Sequence, residues 1–373
     1  MAFGVRDILF VAGEASGDLH AGKVAQSIRR LAPAVKMRGI GGQHMAAAGV
    51  ELVEQVEKLA VMGFVEVLQH VPRHWMLLRK LTDEIQSGRI GLVVLIDYPG
   101  FNLKVAAAAR AAGVPVLYYV APQVWAWGAD RLPKIAKLVT KAACILPFEE
   151  KLLRSHGIDA TFVGHPLLDR AQSLPSREEA RAALNLPATG DVVAMFPGSR
   201  RAEISRHLAP FTAAARELQR LRPGVHVVVG VAPTVRITDA DVPFPLVHDA
   251  SFPLLRAATV GMLKSGTTTL EAAVAGLPHI IGYRTNALTY QIARRVVKIP
   301  HIGLVNVVAE REVSREFVQD NFVPDVVARQ LASLLDDGES RADALRGLAE
   351  VRARLGTPGA ADRVAGMALG MLQ

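Results

Sequence analysis

The residues best suited to chemistry sit in turns that join an apolar run to a helical one. Gly13-Glu14-Ala15-Ser16-Gly17-Asp18 follows the run Ile8–Ala12 and opens a helical stretch. Glycines permit a tight turn, and a helix N-terminus presents unpaired N–H groups to an anion or a polar ligand. Ser16 or Asp18 could equally cap that helix, and Glu14 has no assigned task on local grounds. The spacing is neither Gly-x-Gly-x-x-Gly nor a Gly-Lys-Ser/Thr loop, which argues against a dinucleotide or ATP site.

In Leu95-Ile96-Asp97-Tyr98-Pro99-Gly100-Phe101-Asn102 an apolar strand ends in a carboxylate, at the rim where α/β folds place their ligands. Asp97 is there suited to act as a general base, or it simply caps a turn. Asn102 reads as the cap of the following helix. The loop Tyr119–Trp127 holds Trp125 and Trp127, large rings that could wall a sugar or acyl pocket or fill a domain interface.

Two further turns suit phosphate. In Phe196-Pro197-Gly198-Ser199-Arg200-Arg201 a Gly-Ser turn leads into a helix, and Arg200 can grip a diphosphate bidentately. Lys264-Ser265-Gly266-Thr267-Thr268-Thr269-Leu270-Glu271 offers small residues, hydroxyls and a helix N-terminus. Glu271 falls on that helix's first turn, where it either favours the dipole or accepts from ribose hydroxyls. Asp239-Ala240-Asp241 has the Asp-x-Asp spacing of metal-dependent sugar transferases but lies in a polar, proline-bordered loop, so it reads as a solvated turn. The histidines show no metal-ligand spacing, so no structural zinc is expected.

The elements that must position these turns alternate along the chain. Strand candidates are Ile8–Ala12, Lys36–Ile40, Leu92–Ile96, Val114–Tyr119 and Cys144–Leu146, then Val192–Phe196, His226–Val231, Thr259–Leu263 and His279–Tyr283. Helical patterns such as His20–Leu31, Leu103–Ala112, Ile204–Leu221 and Thr268–Ala275 intervene. Such alternation predicts an α/β fold with parallel sheets covered on both faces. A chain of 373 residues exceeds one ordinary core. Pro175, Pro187 and Gly190 interrupt the pattern, so the expected domains span 1–170 and 190–345. The tail reads as consecutive helices, and a last helix over 359–373 is expected to complete the first domain.

Composition narrows the function further. Half the residues are hydrophobic and 21% charged, which excludes a disordered chain. Cys144 is the single cysteine and can form no internal disulfide, which favours a reducing, cytoplasmic location. Ile8–Ala12 is too short for a signal sequence, and no run approaches the ~18 apolar residues of a membrane span. The net charge of +8 calls for an anionic partner. Aromatic residues make up only 5% and the basic ones are scattered, which argues against nucleic acid and leaves phosphorylated substrates or a membrane surface.

Together these motifs identify a resemblance. The chain resembles lipid-A-disaccharide synthases along nearly its whole length. The matching stretches are Val11–Asp18, Leu59–Leu68, Ile96-Asp97 with Pro99 and Phe101-Asn102, and Val124–Trp127. They continue with Pro147-Phe148-Glu149, Val163-Gly164-His165, Pro197–Arg200, Ser265–Thr267 with Leu270-Glu271, and Gly282–Arg284. The resemblance implies two Rossmann-like domains of the GT-B class, with parallel sheets facing a central cleft that holds the active site. It implies transfer of 2,3-diacylglucosamine from its UDP form to 2,3-diacylglucosamine 1-phosphate, giving a β-1′,6-linked disaccharide and UDP without a metal or other cofactor. Carried over by position, Asp97 takes the proton of the acceptor hydroxyl, Arg200 stabilises the leaving diphosphate, and Asn306 is the third catalytic residue. Glu14, Ser16, Gly17, Asp18, Met62 and Trp125 are the expected substrate contacts of the first domain. Gly198, Ser199, Ser265, Gly266, Thr267 and Glu271 are those of the second. The chain departs from the family at Gly100, where a second acid is frequent, and at Gly303-Leu304-Val305-Asn306, where Leu-Pro-Asn is common. That leaves Asp97 as the sole carboxylate of its turn.

The stretch Val61–Leu81 mixes Trp75, Met76, Leu77 and Leu78 with Arg73, His74, Arg79 and Lys80. It is either an amphipathic helix on the core or a patch that docks on the anionic cytoplasmic face of the inner membrane. A homodimer that exchanges its C-terminal helices is compatible with the sequence. Two other functions fit less of it: a UDP-sugar epimerase or different transferase on the same fold, and a non-catalytic nucleotide- or lipid-binding module.

Overall fold

The computed structural model describes residues 6–56, 64–122, 124–296 and 299–372. The chain forms two compact units. One runs to Pro166 and takes back the chain from Thr357, and the other is Leu167–Gly356.

The first unit is built on a parallel sheet of β1 (Asp7–Ala12), β2 (Met37–Gly41), β3 (Glu51–Gln55), β4 (Ile90–Ile96), β5 (Val116–Tyr119), β6 (Lys141–Cys144) and β7 (Asp159–Phe162). Its spatial order is β3-β2-β1-β4-β5-β6-β7. The central strands are apolar throughout because both faces are covered. Leu9, Val11, Val93 and Leu95 point into one hydrophobic cluster, and their neighbours Ile8, Phe10, Ala12, Leu92, Val94 and Ile96 into the other. The C-terminal helix Ala360–Leu372 lies against the helix Ala15–Leu31. Its Val364, Ala365 and Ala368 join the second cluster, and Asp362 accepts from Ser27 and Arg30 at 2.6 Å each.

The second unit repeats the plan with β8 (Val192–Phe196), β9 (His226–Val231), β10 (Leu246–His248), β11 (Val260–Lys264), β12 (His279–Tyr283) and β13 (Glu316–Val318). Their order is β10-β9-β8-β11-β12-β13, again parallel. The strand order reverses between β1 and β4 in one sheet and between β8 and β11 in the other. Those are the points where open α/β sheets leave a crevice at the carboxyl ends of their strands.

Several expected boundaries move. The helix after β1 starts at Ala15 rather than His20, and the one after β4 at Pro99 rather than Leu103. Proline at the first helical position needs no N–H partner and has the right φ. β6 ends at Cys144, where an extended strand to Leu146 was expected, because the helix Pro147–Ser155 begins at once. The edge strands β3, β7, β10 and β13 have no counterpart among the expected strands.

Candidate functional site

In the first unit the switch point gathers the expected turns. β1 and β4 are hydrogen-bonded neighbours with Ala12 opposite Ile96, and β4 pairs with β5 with Ile96 opposite Tyr119. Gly13–Ser16, Asp97–Tyr98 and the loop after Tyr119 therefore leave adjacent strands at the same end of the sheet. Gly13 packs so tightly that a Cβ there would lie 2.1 Å from the Tyr98 ring. Glu14 and Ser16 are exposed, whereas Gly17 is buried. Burial first, and the Glu14 charge second, raise the Tyr98 hydroxyl above its ordinary range.

Asp97 and Tyr98 both adopt left-handed backbone, at φ 47° and 46°. Two successive non-glycine residues in that region store strain of about 1–3 kcal/mol each, which the surroundings must hold. They do so through Asn102 and Tyr118. The Asn102 Nδ2 donates to Asp97 O at 2.7 Å and to Ile96 O at 3.1 Å, and the Tyr118 hydroxyl donates to Asp97 O at 2.6 Å. Burial and then the Asp97 charge push the Tyr118 hydroxyl far above its usual range. Asn102 is fully buried inside the helix rather than capping it, because Tyr98 occupies the cap position.

Asp18 also differs from expectation. It caps neither its own helix, whose N-cap is Glu14, nor faces solvent. Its carboxylate accepts from the backbone of Gly42 at 2.6 Å, His44 at 3.0 Å and Met45 at 3.1 Å, so it caps the helix Gln43–Ala47 instead. Trp125 is half-buried, edge-on to Phe148, and its indole N–H donates to Glu149 Oε1 at 3.1 Å. Burial raises the Glu149 carboxyl to about 7, against hydrogen bonds from Leu146 and Trp125 that lower it. Met62 lies outside the described residues, as do Gln123 and the side chain of Trp127.

In the second unit β8 and β11 are neighbours with Leu263 opposite Phe196, so the turns Gly198–Arg200 and Ser265–Thr267 stand side by side. Gly198 has φ 140°, and a Cβ there would meet Glu203 Cβ at 2.6 Å, so the turn requires glycine. Ser199 and Arg200 are exposed, as is Thr267, while Ser265 is buried with its hydroxyl donated to Ile302 O at 2.7 Å. That proton is committed, so Ser265 offers a ligand only its lone pairs and backbone. Glu271 is buried and pairs with Arg170 at 3.2 Å. Burial raises its carboxyl and Arg170 opposes that rise. The Arg170 guanidinium itself lies 4.6 Å over the Phe252 ring.

Asn306 lies in the interior of the second unit. It is fully buried, and its Nδ2 donates to Ser314 O at 2.7 Å and Glu316 Oε1 at 2.8 Å. Its Oδ1 accepts from Val313 and Ser314 backbone N–H at 2.8 and 2.9 Å. Glu316 accepts in turn from Ile302 and Gly303 N–H. These bonds tie the Asn306 amide, through Glu316, to the loop whose Ile302 carbonyl receives the Ser265 hydroxyl.

Sequence reasoning missed Asn102 as a support, and also Tyr118, Glu149, Arg170, Glu203 and Glu316. Glu149 and Glu203 left a usable signal, each an acid three residues after its helix N-cap. Asp241 accepts from the Thr238 N–H and hydroxyl at 2.8 Å each, the solvated turn expected there. Among the described residues no group of three or more His, Cys, Asp or Glu could hold a metal. None of the described helices is long and apolar enough to cross a membrane.

Solved glycosyltransferases and epimerases share this arrangement. The kitacinnamycin glycotransferase superposes with a TM-score of 0.66 over 99% of both chains at 16% identity. The calicheamicin glycosyltransferase CalG4 gives 0.60 over 98% of both chains at 17% identity. The UDP-GlcNAc 2-epimerase of Neisseria meningitidis gives 0.64 at 12% identity, over 98% of this chain and 100% of its own. At such identities the likeness establishes the fold, two Rossmann-like units of the GT-B class. Sequence relatives go further. The lipid-A-disaccharide synthases of Geobacter metallireducens and Trichlorobacter lovleyi are 40% and 39% identical, each over 98% of this chain and 97% of its own length. The family profile described as lipid-A-disaccharide synthetase matches residues 8–357. The chain belongs to the lipid-A-disaccharide synthetase family of glycosyltransferases.

Proposed function

We propose that the chain is an inverting transferase that condenses UDP-2,3-diacylglucosamine with 2,3-diacylglucosamine 1-phosphate. The acceptor 6-hydroxyl attacks the donor's anomeric carbon, the bond from that carbon to the diphosphate breaks, and UDP leaves. Asp97 receives the hydroxyl proton, and Arg200 with the Gly198–Ser199 and Ser265–Thr267 turns takes up the charge that grows on the diphosphate. Glu271, whose resting partner is Arg170, binds the ribose. No metal is needed, because backbone N–H groups and arginine supply the positive field. The observation that carries this reading is the pair of motif-bearing switch points, one ending in a carboxylate on a firmly held backbone and the other in two anion-suited turns. Relatives at about 40% identity do not favour an epimerase or a binding module.

The protein meets its lipids at the anionic inner leaflet through the helix Phe64–Gln86. Trp75 and Met76 on that helix are 65% and 66% exposed, while Leu77 and Leu81 are buried beneath them. The test is product identification by mass spectrometry in detergent with a chelator present. Disaccharide 1-phosphate and UDP in equal amounts support the reading; a well-folded protein that makes neither sinks it.

A further inference from the structure

One ion pair links the two turns of the second unit, and the reaction above gives it no task. Glu203, on the first turn of the helix Arg201–Leu221, bends back onto the strand end. Its Oε2 accepts from the Ser199 N–H at 2.9 Å and the Arg200 N–H at 3.3 Å. Its Oε1 meets Lys264 Nζ at 2.8 Å, with both side chains largely buried at 15% and 18% exposure. Lys264 is the last residue of β11 and leads into the second turn. A Cβ on Gly266 would lie 3.8 Å from its Nζ, and the Tyr283 ring centroid is 5.8 Å away.

The Ser199 and Arg200 amides are the donors a phosphoryl group would use, and an internal carboxylate sits on them. Burial raises that carboxyl, but Lys264 and the Ser199 amide outweigh the rise and leave Glu203 below the ordinary carboxylate range, so it is charged. Capping a helix requires the amides alone. It does not require a half-buried lysine from the neighbouring strand, whose desolvation is costly without a task. Amides on one side and an ammonium on the other are what a phosphate would need.

We propose that Lys264 is a further diphosphate-binding residue, held between the two turns by Glu203 until the nucleotide's phosphates displace that carboxylate. The inference rests on the nucleotide reading above. When the diphosphate enters, its oxygens take the Ser199 and Arg200 amides and the Lys264 ammonium, and Glu203 turns out toward solvent. When UDP leaves, Glu203 returns. Lys264 therefore raises affinity for the diphosphate, and Glu203 lowers it by competing for the same donors.

Titration of the full chain with UDP, and with uridine as the phosphate-free control, tests this in wild type, Lys264→Met, Lys264→Arg and Glu203→Gln. Lys264→Met weakens UDP binding about tenfold or more, the scale of one charge-assisted phosphate contact. It leaves uridine binding unchanged, Lys264→Arg restores most of the loss, and Glu203→Gln binds UDP more tightly than wild type. A wild type that binds no UDP overturns the nucleotide reading and this inference with it. If wild type binds UDP, then unchanged UDP affinity in Lys264→Met, or equal losses for UDP and uridine, overturns this inference alone. Should Lys264→Met not fold, Glu203→Gln decides, since UDP affinity no tighter than wild type there contradicts the displacement.

Discussion

The Asn102 Nδ2 lies 2.7 Å from the carbonyl oxygen of Asp97, the same oxygen that accepts the Tyr118 hydroxyl at 2.6 Å. A buried amide and a buried phenol thus hold the backbone of a residue whose left-handed conformation would otherwise relax. Asn102→Ala removes the buried donor shared by the Ile96 and Asp97 carbonyls, at a cost of about 1–3 kcal/mol in stability. It also lets the Asp97 carboxylate drift, which lowers kcat by up to about 100-fold with KM little changed. Tyr118→Phe has the same sign and a smaller effect. Steady-state kinetics beside thermal unfolding check this, and a destabilised variant with unchanged kcat contradicts it.

Much of this architecture was legible in the sequence, and the reason is burial. Val192–Phe196, His226–Val231 and His279–Tyr283 match their strands end to end, because central parallel strands are apolar on both faces. The edge strands Glu51–Gln55 and Asp159–Phe162 carry charges and are partly exposed, so they leave no such run. Turns at strand ends were legible for the same reason as the strands. Their supports were not. Arg170 reaches Glu271 from 101 positions away, and Glu149 meets Trp125 from 24 positions away. Pairings of that kind belong to the fold rather than to local spacing. Asn102 has the residue type of a cap, but Pro99 starts the helix three residues earlier and places Asn102 inside it.

Acid should destabilise the second unit through His279. This fully buried imidazole is pushed by desolvation down to about 4, against a Leu277 hydrogen bond that raises it. Above pH ~6.5 both folded and unfolded forms are neutral and no stability is lost. As pH falls toward 4 the unfolded chain takes a proton that the folded one refuses, a loss on the order of 3 kcal/mol. His279→Phe cannot protonate and flattens the dependence of unfolding midpoint on pH between 6.5 and 4. Equal slopes in wild type and variant contradict the assignment.

Trp125 should report the ionisation of Glu149. The carboxyl, raised to about 7 by burial, is protonated below that pH and charged above it. Because the folded value lies above the unfolded one, its protonated form is favoured by folding, and that contribution fades as pH rises from 4.5 to 7. The Cys144 thiol lies near enough for the Glu149 charge to raise it, after burial. In a Trp75→Phe, Trp127→Phe background the indole emission shifts with a midpoint near pH 7, and Glu149→Gln abolishes the shift. A flat titration in the presence of Glu149 rules the coupling out.

Membrane docking should depend on exposed rings and charges of one helix. Arg73→Glu with Arg79→Glu is expected to weaken binding to phosphatidylglycerol vesicles about tenfold or more, from ~1 kcal/mol per basic residue at an anionic surface. Trp75→Ser with Met76→Ser weakens it through lost insertion and is insensitive to salt. Sedimentation with the vesicles that leaves both double variants bound like wild type contradicts this surface.

In the proposed reaction Asp97 takes the acceptor's proton, so the chemical step should depend on its carboxylate. Single-turnover rates of disaccharide formation, in a chelator and at saturating UDP-2,3-diacylglucosamine and acceptor, are compared between wild type and Asp97→Asn. The expected outcome is unchanged UDP affinity and a rate lower by about 10²–10⁴-fold, the usual worth of a positioned general base. A folded Asp97→Asn that binds both substrates and turns over within a few-fold of wild type would contradict it.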